Sequence, residues 1–149
     1  MMIREGKLSD IPKLLELACV LVREMMCVVP DKDKIKTLLT ASVSSNKHKL
    51  LVSIGNDGLE GAMLTASDGF NVAEKQYAQI ICLYSQTPGQ GQRMLNLTMD
   101  WVKHRKAIQM VCYSSPMQSG VDKLLLKNDF KSTGSMLMWR RYEHLQQNL

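Results

Sequence analysis

Apolar residues recur along this chain in two rhythms, one in every second position and one at helical spacing, and the switches between them mark out the elements. Residues 2 to 8 read as a short strand, after which Ser9 or Asp10 can accept hydrogen bonds from the free N–H groups that open a helix. Ile11, Leu14, Leu15, Ala18, Leu21 and Val22 follow with helical spacing, and Pro30 stops that region. Asp31 caps a second helix whose apolar stripe is Ile35, Leu38, Leu39 and Val43, before SSNKHK returns to loop. KLLVSIGNDGLEGAMLTA is two extended runs around Asn56, Asp57 and Gly58, residues that tolerate positive φ and suit a hairpin turn. SDGFNVAEKQ is a polar connection, and AQIICLY is short, β-branched and apolar, hence a buried central strand.

In QRMLNLTMDWVKHRK, Met94, Leu95, Leu97, Thr98, Trp101 and Val102 gather on one side of a helix. IQMVCYS reads as another buried strand. MQSGVDKLLLKNDF starts as a helix through Leu126 with Asp129 and Phe130 at its exit, and FKSTGSMLMWRRY reads as a final pair of strands, or one bent strand, around Gly134. The order is strand, two helices, three strands, helix, strand, helix, strand or strands, which implies a mixed α/β sheet. No internal repeat or low-complexity segment interrupts it.

At 149 residues the chain fits one domain spanning 1 to 149, large enough to bury a core without disulfide or metal support. No apolar stretch is long enough to cross a bilayer, and the opening MMIREGKLSD carries alternating charges instead of a leader pattern, so a cytoplasmic protein with no membrane partner is expected. Cys19, Cys27, Cys82 and Cys112 each lie in an apolar segment without a C-x-x-C pair, and His48, His104 and His144 have no ligand spacing. Core thiols and no metal are the expectation. Residues 1 to 77 carry ten Lys and Arg against ten Asp and Glu, whereas residues 78 to 149 carry nine against four. The basic excess therefore sits in the second half, where it would attract an anionic partner, although solvated surface lysines explain it as simply.

One stretch in that half carries chemistry. SQTPGQGQRML places Gly89 and Gly91 one residue apart between an apolar strand and a helix. A backbone turning through such glycines can expose successive N–H groups, and the helix start adds partial positive charge, so a phosphate is the natural guest. No Lys followed by Ser or Thr closes the loop as in the nucleotide P-loop, and no third glycine completes the dinucleotide fingerprint.

Gln86, Gly89 and Gly91 match the Q/R-x-x-G-x-G/A signature of the GCN5-related N-acetyltransferases, the GNAT superfamily, and the chain resembles that family over nearly its whole length. MIREGKLSDIPKLLEL looks like the family's opening strand and helix, and VDKLLLKNDF resembles its late helix, A-x-x-L-Y-x-K-x-G-F. The compact form is also similar to small acetyltransferase-like proteins from bacteriophage genomes. The resemblance implies an α/β fold with a mixed, mostly antiparallel sheet flanked by helices, strands four and five splayed apart. It further implies acetyl-coenzyme A as co-substrate. Its pantetheine arm would bond to backbone groups of Leu83, Tyr84 and Ser85, and its pyrophosphate would meet the loop formed by Gln86, Thr87, Gly89, Gln90, Gly91, Gln92 and Arg93. Lys123 and Lys127 would face the adenosine 3′-phosphate, or simply form an exposed basic helix face.

The expected activity is transfer of an acetyl group to an amine of a small molecule or protein by direct attack. The amine must lose a proton, since its unperturbed pKa is about 10.4, and the leaving thiolate must gain one. Here the sequence departs from the family: Asp129 stands where Gly is usual, Leu125 where the acidic Tyr is usual, Gln118 where Asn often begins the segment, and Gln79 where a carboxylate is common. Tyr113 or Tyr84 can replace the missing phenol, each competing with an ordinary core or interface role, and Glu74 is the nearest upstream carboxylate, a position where a solvated loop charge is the commoner state. The departures motivate an alternative, a GNAT-fold protein that has lost catalysis and serves as a coenzyme A-binding or protein-interaction module. WVKHRK closes a helix, where cations favour the carbonyl end, and no aromatic stacking series accompanies it, so nucleic acid is set aside. The Met-rich pairs Met25 with Met26 and Met136 with Met138 suit adaptable core or a homodimer surface. The acceptor would be chosen by the loops around Met25 to Asp31 and Ser67 to Gln76, which carry no readable code.

Overall fold

The structure, a computed structural model, describes residues 2–26, 28–67, 76–114 and 120–134, without the side chains of Met25 and Met26. Its elements are β1 (Met2–Glu5), a 3-10 turn (Leu8–Asp10), α1 (Ile11–Met26), α2 (Lys32–Ser44), β2 (His48–Gly55), β3 (Gly58–Ser67), β4 (Gln76–Ser85), α3 (Gln90–His104), β5 (Ile108–Tyr113) and α4 (Gly120–Lys127). The strands form one sheet in chain order, antiparallel from β1 to β4, with β5 parallel to β4. Antiparallel neighbours can be joined by tight turns, as β2 and β3 are across Gly58 at φ 101°. A parallel neighbour requires a crossover, and α3 supplies it.

The local signals explain most boundaries. The Asp31 side chain accepts from the Lys34 N–H at 3.1 Å and starts α2. Asp10 instead turns back, accepting from the Lys7 N–H at 2.7 Å and from both Arg4 guanidinium nitrogens at 2.7 and 2.8 Å, so the first strand ends at Glu5 and not at residue 8. Apolar alternation then divides each inner strand between two cores. Leu50, Val52, Ala62 and Leu64 pack with Ile11 and Leu14 of α1 and Leu39 of α2 on one face. Leu51, Met63, Ile80 and Leu83 pack with Met94 and Leu95 of α3 and Leu125 of α4 on the other. Each such side chain contributes about 1.5–3 kcal/mol of burial, which is how neighbouring residues in one strand hold helices to both faces.

Three expectations need correction. β4 is an inner strand but not a continuously buried one, because Gln79 and Ile81 are exposed. β5 likewise exposes Gln109 and Met110. Leu97 falls outside the apolar face of α3 and is 44% exposed, since the helix's 100° step carries it past the edge of the sheet-facing stripe. Cys82 joins the first core, and burial pushes its thiol pKa up. Phe130 to Gly134 form no regular element, and the rest of the final strand pair, with Met136 and Met138, lies outside the described residues, as do Cys27, Gln118 and His144.

Two irregularities shape one end of the sheet. Ser53 lies opposite Gly61 while Ile54 lies opposite Leu59, so Glu60 is an extra residue in β3. Leu64 lies opposite Cys82 while Thr65 lies opposite Ile80, so Ile81 is an extra residue in β4. Both are β-bulges.

Candidate functional site

The pairing of β4 with β5 ends at Ile80 opposite Tyr113, yet β4 runs on through Ser85. Among the described residues, Cys82 to Ser85 are therefore paired to β3 alone, and a wedge opens on the β5 side of the strand. The loop from Gln86 to Gly89 then carries the chain from the mouth of this wedge into α3.

Gly89 precedes α3 with φ 86° and ψ −20°, a left-handed conformation that glycine adopts without penalty, and no side chain caps the helix there. The first helical hydrogen bond is Arg93 N–H to Gly89 C=O at 3.2 Å. Gln90 N–H reaches Thr87 C=O at 3.3 Å. Among the described residues, no group accepts from the N–H of Gly89, Gly91 or Gln92. Uncapped donors at the positive end of a helix form a seat for an anion. Among the described residues, a Cβ on Gly91 would meet only Leu124 Cδ2, at 3.5 Å, so α4 lies directly behind this seat.

The side chains of the loop are largely engaged. Gln92 and Asn128 exchange amide hydrogen bonds at 2.9 Å in each direction, and Gln92 also donates to Asn96 at 2.7 Å, which ties the start of α3 to the end of α4. Gln92 therefore faces the anion seat with its backbone and not its amide. Arg93 is exposed and donates to Gln90 Oε1 at 3.2 Å. The Tyr84 hydroxyl accepts from Gln86 Nε2 at 3.3 Å.

Sequence reasoning missed Glu60. Its carboxylate accepts from the N–H groups of Gln86 at 2.9 Å and Thr87 at 3.0 Å, from the Ser85 hydroxyl at 3.3 Å, and from the Ser53 hydroxyl. Burial opposes its ionisation, but these hydrogen bonds, Ser53 foremost, outweigh that and hold the carboxyl below its ordinary range. A glutamate two residues after a hairpin glycine gives no local sign of such a role. It follows from the bulge that turns this residue toward β4.

Leu83 is buried against Met94, Leu95 and Leu125, so strand alternation sends Tyr84 to the opposite face, with Cys82. Tyr113 packs against the α3–α4 core and stands where β4 and β5 part. The two tyrosines are thus not brought together: Tyr113 is at the throat of the wedge and Tyr84 beside the loop at its mouth. Leu125, where the resemblance would place a phenol, is a core residue only 4% exposed. Asp129, where a glycine is usual, has φ 66°, and the Phe130 N–H closes onto Leu125 C=O at 3.2 Å, so this helix end needs a left-handed residue and uses aspartate for it. Glu74 lies outside the described residues, as do residues 68 to 75 of the connection expected to help choose the acceptor.

A possible acetyltransferase from Clostridium difficile 630 superposes with a TM-score of 0.70 at 13% identity, covering 94% of this chain and 97% of that one. A GNAT family acetyltransferase from Staphylococcus aureus gives 0.62 at 18% identity, over 94% and 98%. The chain has the GNAT fold. A transcriptional regulator from Bacillus halodurans shares it too, with a TM-score of 0.73 at 14% identity over 94% and 99%, so the GNAT fold by itself assigns no substrate. No protein-family model matches the chain, and no curated protein does. Among the described residues of this GNAT-fold chain, no helix is long and apolar enough to cross a membrane.

Proposed function

We propose that the protein is a cytoplasmic acetyl-coenzyme A-dependent N-acetyltransferase that acetylates an amine of a small molecule or protein. The observation that carries this is the run of unaccepted N–H groups at Gly89, Gly91 and Gln92 beside the mouth of the β4–β5 wedge. Phosphate oxygens of the donor sit on those groups, and the pantetheine arm enters the wedge along the backbone of Leu83 to Ser85. The Arg93 guanidinium and Lys123 and Lys127, all exposed, add positive charge around the same end.

In this arrangement the thioester carbonyl lies near the throat of the wedge. The amine nitrogen attacks the carbonyl carbon, its proton leaves to water, and backbone N–H groups of β4 stabilise the oxyanion. Collapse breaks the C–S bond, and Tyr113, at the parting of the strands, gives its phenolic proton to the departing thiolate. Tyr84, bonded to Gln86 at the loop, serves binding and not proton transfer.

Acetyl-coenzyme A at a hundredfold excess over its Kd stabilises a binder by about 2.7 kcal/mol, a melting shift of about 5–11 °C for a chain of this size. The wild type is expected to show that shift and to acetylate amines, with Tyr113→Phe lowering kcat and Gly91→Trp abolishing binding. No shift at millimolar ligand removes the reading. A second reading, a GNAT-fold protein that binds coenzyme A or a protein partner without catalysis, is favoured by the burial of Leu125 in the core and by the exposed amide of Gln79. A melting shift without any acetyl transfer would establish it in place of the first.

A further inference from the structure

The first half of the loop's donor array already has an occupant. The Glu60 carboxylate takes the N–H groups of Gln86 and Thr87, and Pro88 has none to offer. Among the described residues, loop donors without an acceptor begin at Gly89. Glu60 is held in this position from three directions. The bulge sets its backbone, the Ser53 hydroxyl grips Oε1, and Gly61 lets β3 approach β4 so closely that a Cβ there would stand 2.7 Å from Tyr84 C=O.

We propose that Glu60 is a built-in anion that confines the loop to gripping one phosphoryl group, so that pantetheine on a single phosphate satisfies the loop as fully as pantetheine on a diphosphate. The inference rests on the acyl-donor reading above. A phosphoryl group over Gly89, Gly91 and Gln92 meets free donors. A second one extending toward Gln86 meets a carboxylate that is ionised at neutral pH and has already consumed the two donors nearest to it. Like charges at such range repel strongly when partly shielded from water. The carboxylate thus sets which pantetheine phosphates the protein accepts, and it does so without touching the acyl group.

Calorimetric titration of the full chain with 4′-phosphopantetheine and with dephospho-coenzyme A, in the wild type and in Glu60→Gln, tests this. Glutamine keeps the shape and one acceptor oxygen but removes the charge. The expected result is a change of about fivefold or more in the ratio of the two dissociation constants, in favour of the diphosphate ligand. A smaller change in that ratio, with both ligands still bound, overturns the role of Glu60 while leaving the donor reading intact. Failure of both ligands to bind the wild type at millimolar concentration overturns the two together. Should Glu60→Gln not fold, as judged by circular dichroism, the wild type alone decides by competition. Orthophosphate and inorganic diphosphate are expected to displace 4′-phosphopantetheine within about fivefold of each other, and a larger advantage for diphosphate overturns the proposal.

Discussion

Replacing Gly61 by alanine puts a methyl group into the contact between β3 and the end of β4. The new Cβ would stand 2.7 Å from Tyr84 C=O, 3.0 Å from Ser85 Cα and 3.2 Å from Ser85 Cβ, where ordinary contact begins at 3.4 Å. The strand end must therefore withdraw by about 0.7 Å (3.4 − 2.7), and since the obstructing atoms are mostly backbone, no side-chain rotation relieves it. Overpacking of this kind costs about 1–3 kcal/mol, and the stiffer unfolded chain offsets about 0.4–1 kcal/mol. A net loss of about 1–2 kcal/mol corresponds to a fall of about 2–8 °C in Tm. The displaced segment includes Ser85, whose hydroxyl bonds Glu60, so the loop moves as well. Thermal unfolding followed by circular dichroism, with and without acetyl-coenzyme A, should show a lower Tm and a smaller ligand-induced shift. A Tm within about 1 °C of wild type would refute the close-approach argument.

Other positions give sharper contrasts. Gly91→Ala meets only the flexible end of Leu124 and replaces a helical glycine, so stability should rise by about 0.5–1 kcal/mol, and a measurable fall in Tm would contradict the spacing of α3 and α4. Gly89→Ala has open space but φ 86°, so a loss of about 1–2 kcal/mol is expected from backbone conformation alone. Asp129→Gly should raise Tm slightly and Asp129→Val lower it, because φ 66° suits glycine and strains a β-branched residue; equal melting of the two variants would deny the left-handed helix end. The depressed pKa of Glu60 means that its stabilisation is fully present above the ordinary carboxylate range and is lost as pH falls through the lowered value. The stability gap between wild type and Glu60→Gln should therefore be widest near pH 7 and narrow toward pH 3, and a gap independent of pH would show that Glu60 gains nothing from ionisation.

Elements set by local chemistry were legible in the chain itself. Asp31 capping α2, the Asn56–Gly58 turn and the glycines ahead of α3 are each a residue type whose conformational preference acts at its own position. The limits lay where distant segments decide. Nothing near Glu60 announces that a bulge will aim it at a loop 26 residues later, and nothing near Gly61 announces the approach of Tyr84. Leu97 looked apolar enough for the core, yet only the sheet's width determines which helical positions are covered. Asp129 is instructive in the opposite sense. It looked like a defect against a glycine pattern, and the geometry it adopts is the one the pattern requires.

The extra residue at Ile81 changes the parity of everything beyond it in β4. Ile80 and Leu83, three apart, share the α3–α4 core, which a regular strand would forbid, and Cys82 falls to the other side. Deleting that one isoleucine would restore regular alternation after Ile80 and leave Cys82, Leu83 and Tyr84 on the sides they already occupy. Keeping the isoleucine but pairing it regularly, with no bulge, would instead turn Leu83 toward α1 and Tyr84 toward α3, and the loop would leave the strand half a pleat out of phase with the helix it must enter. The bulge, and not the side chain at position 81, is thus what keeps Leu83 in the α3–α4 core while the strand carries one residue more than its partner.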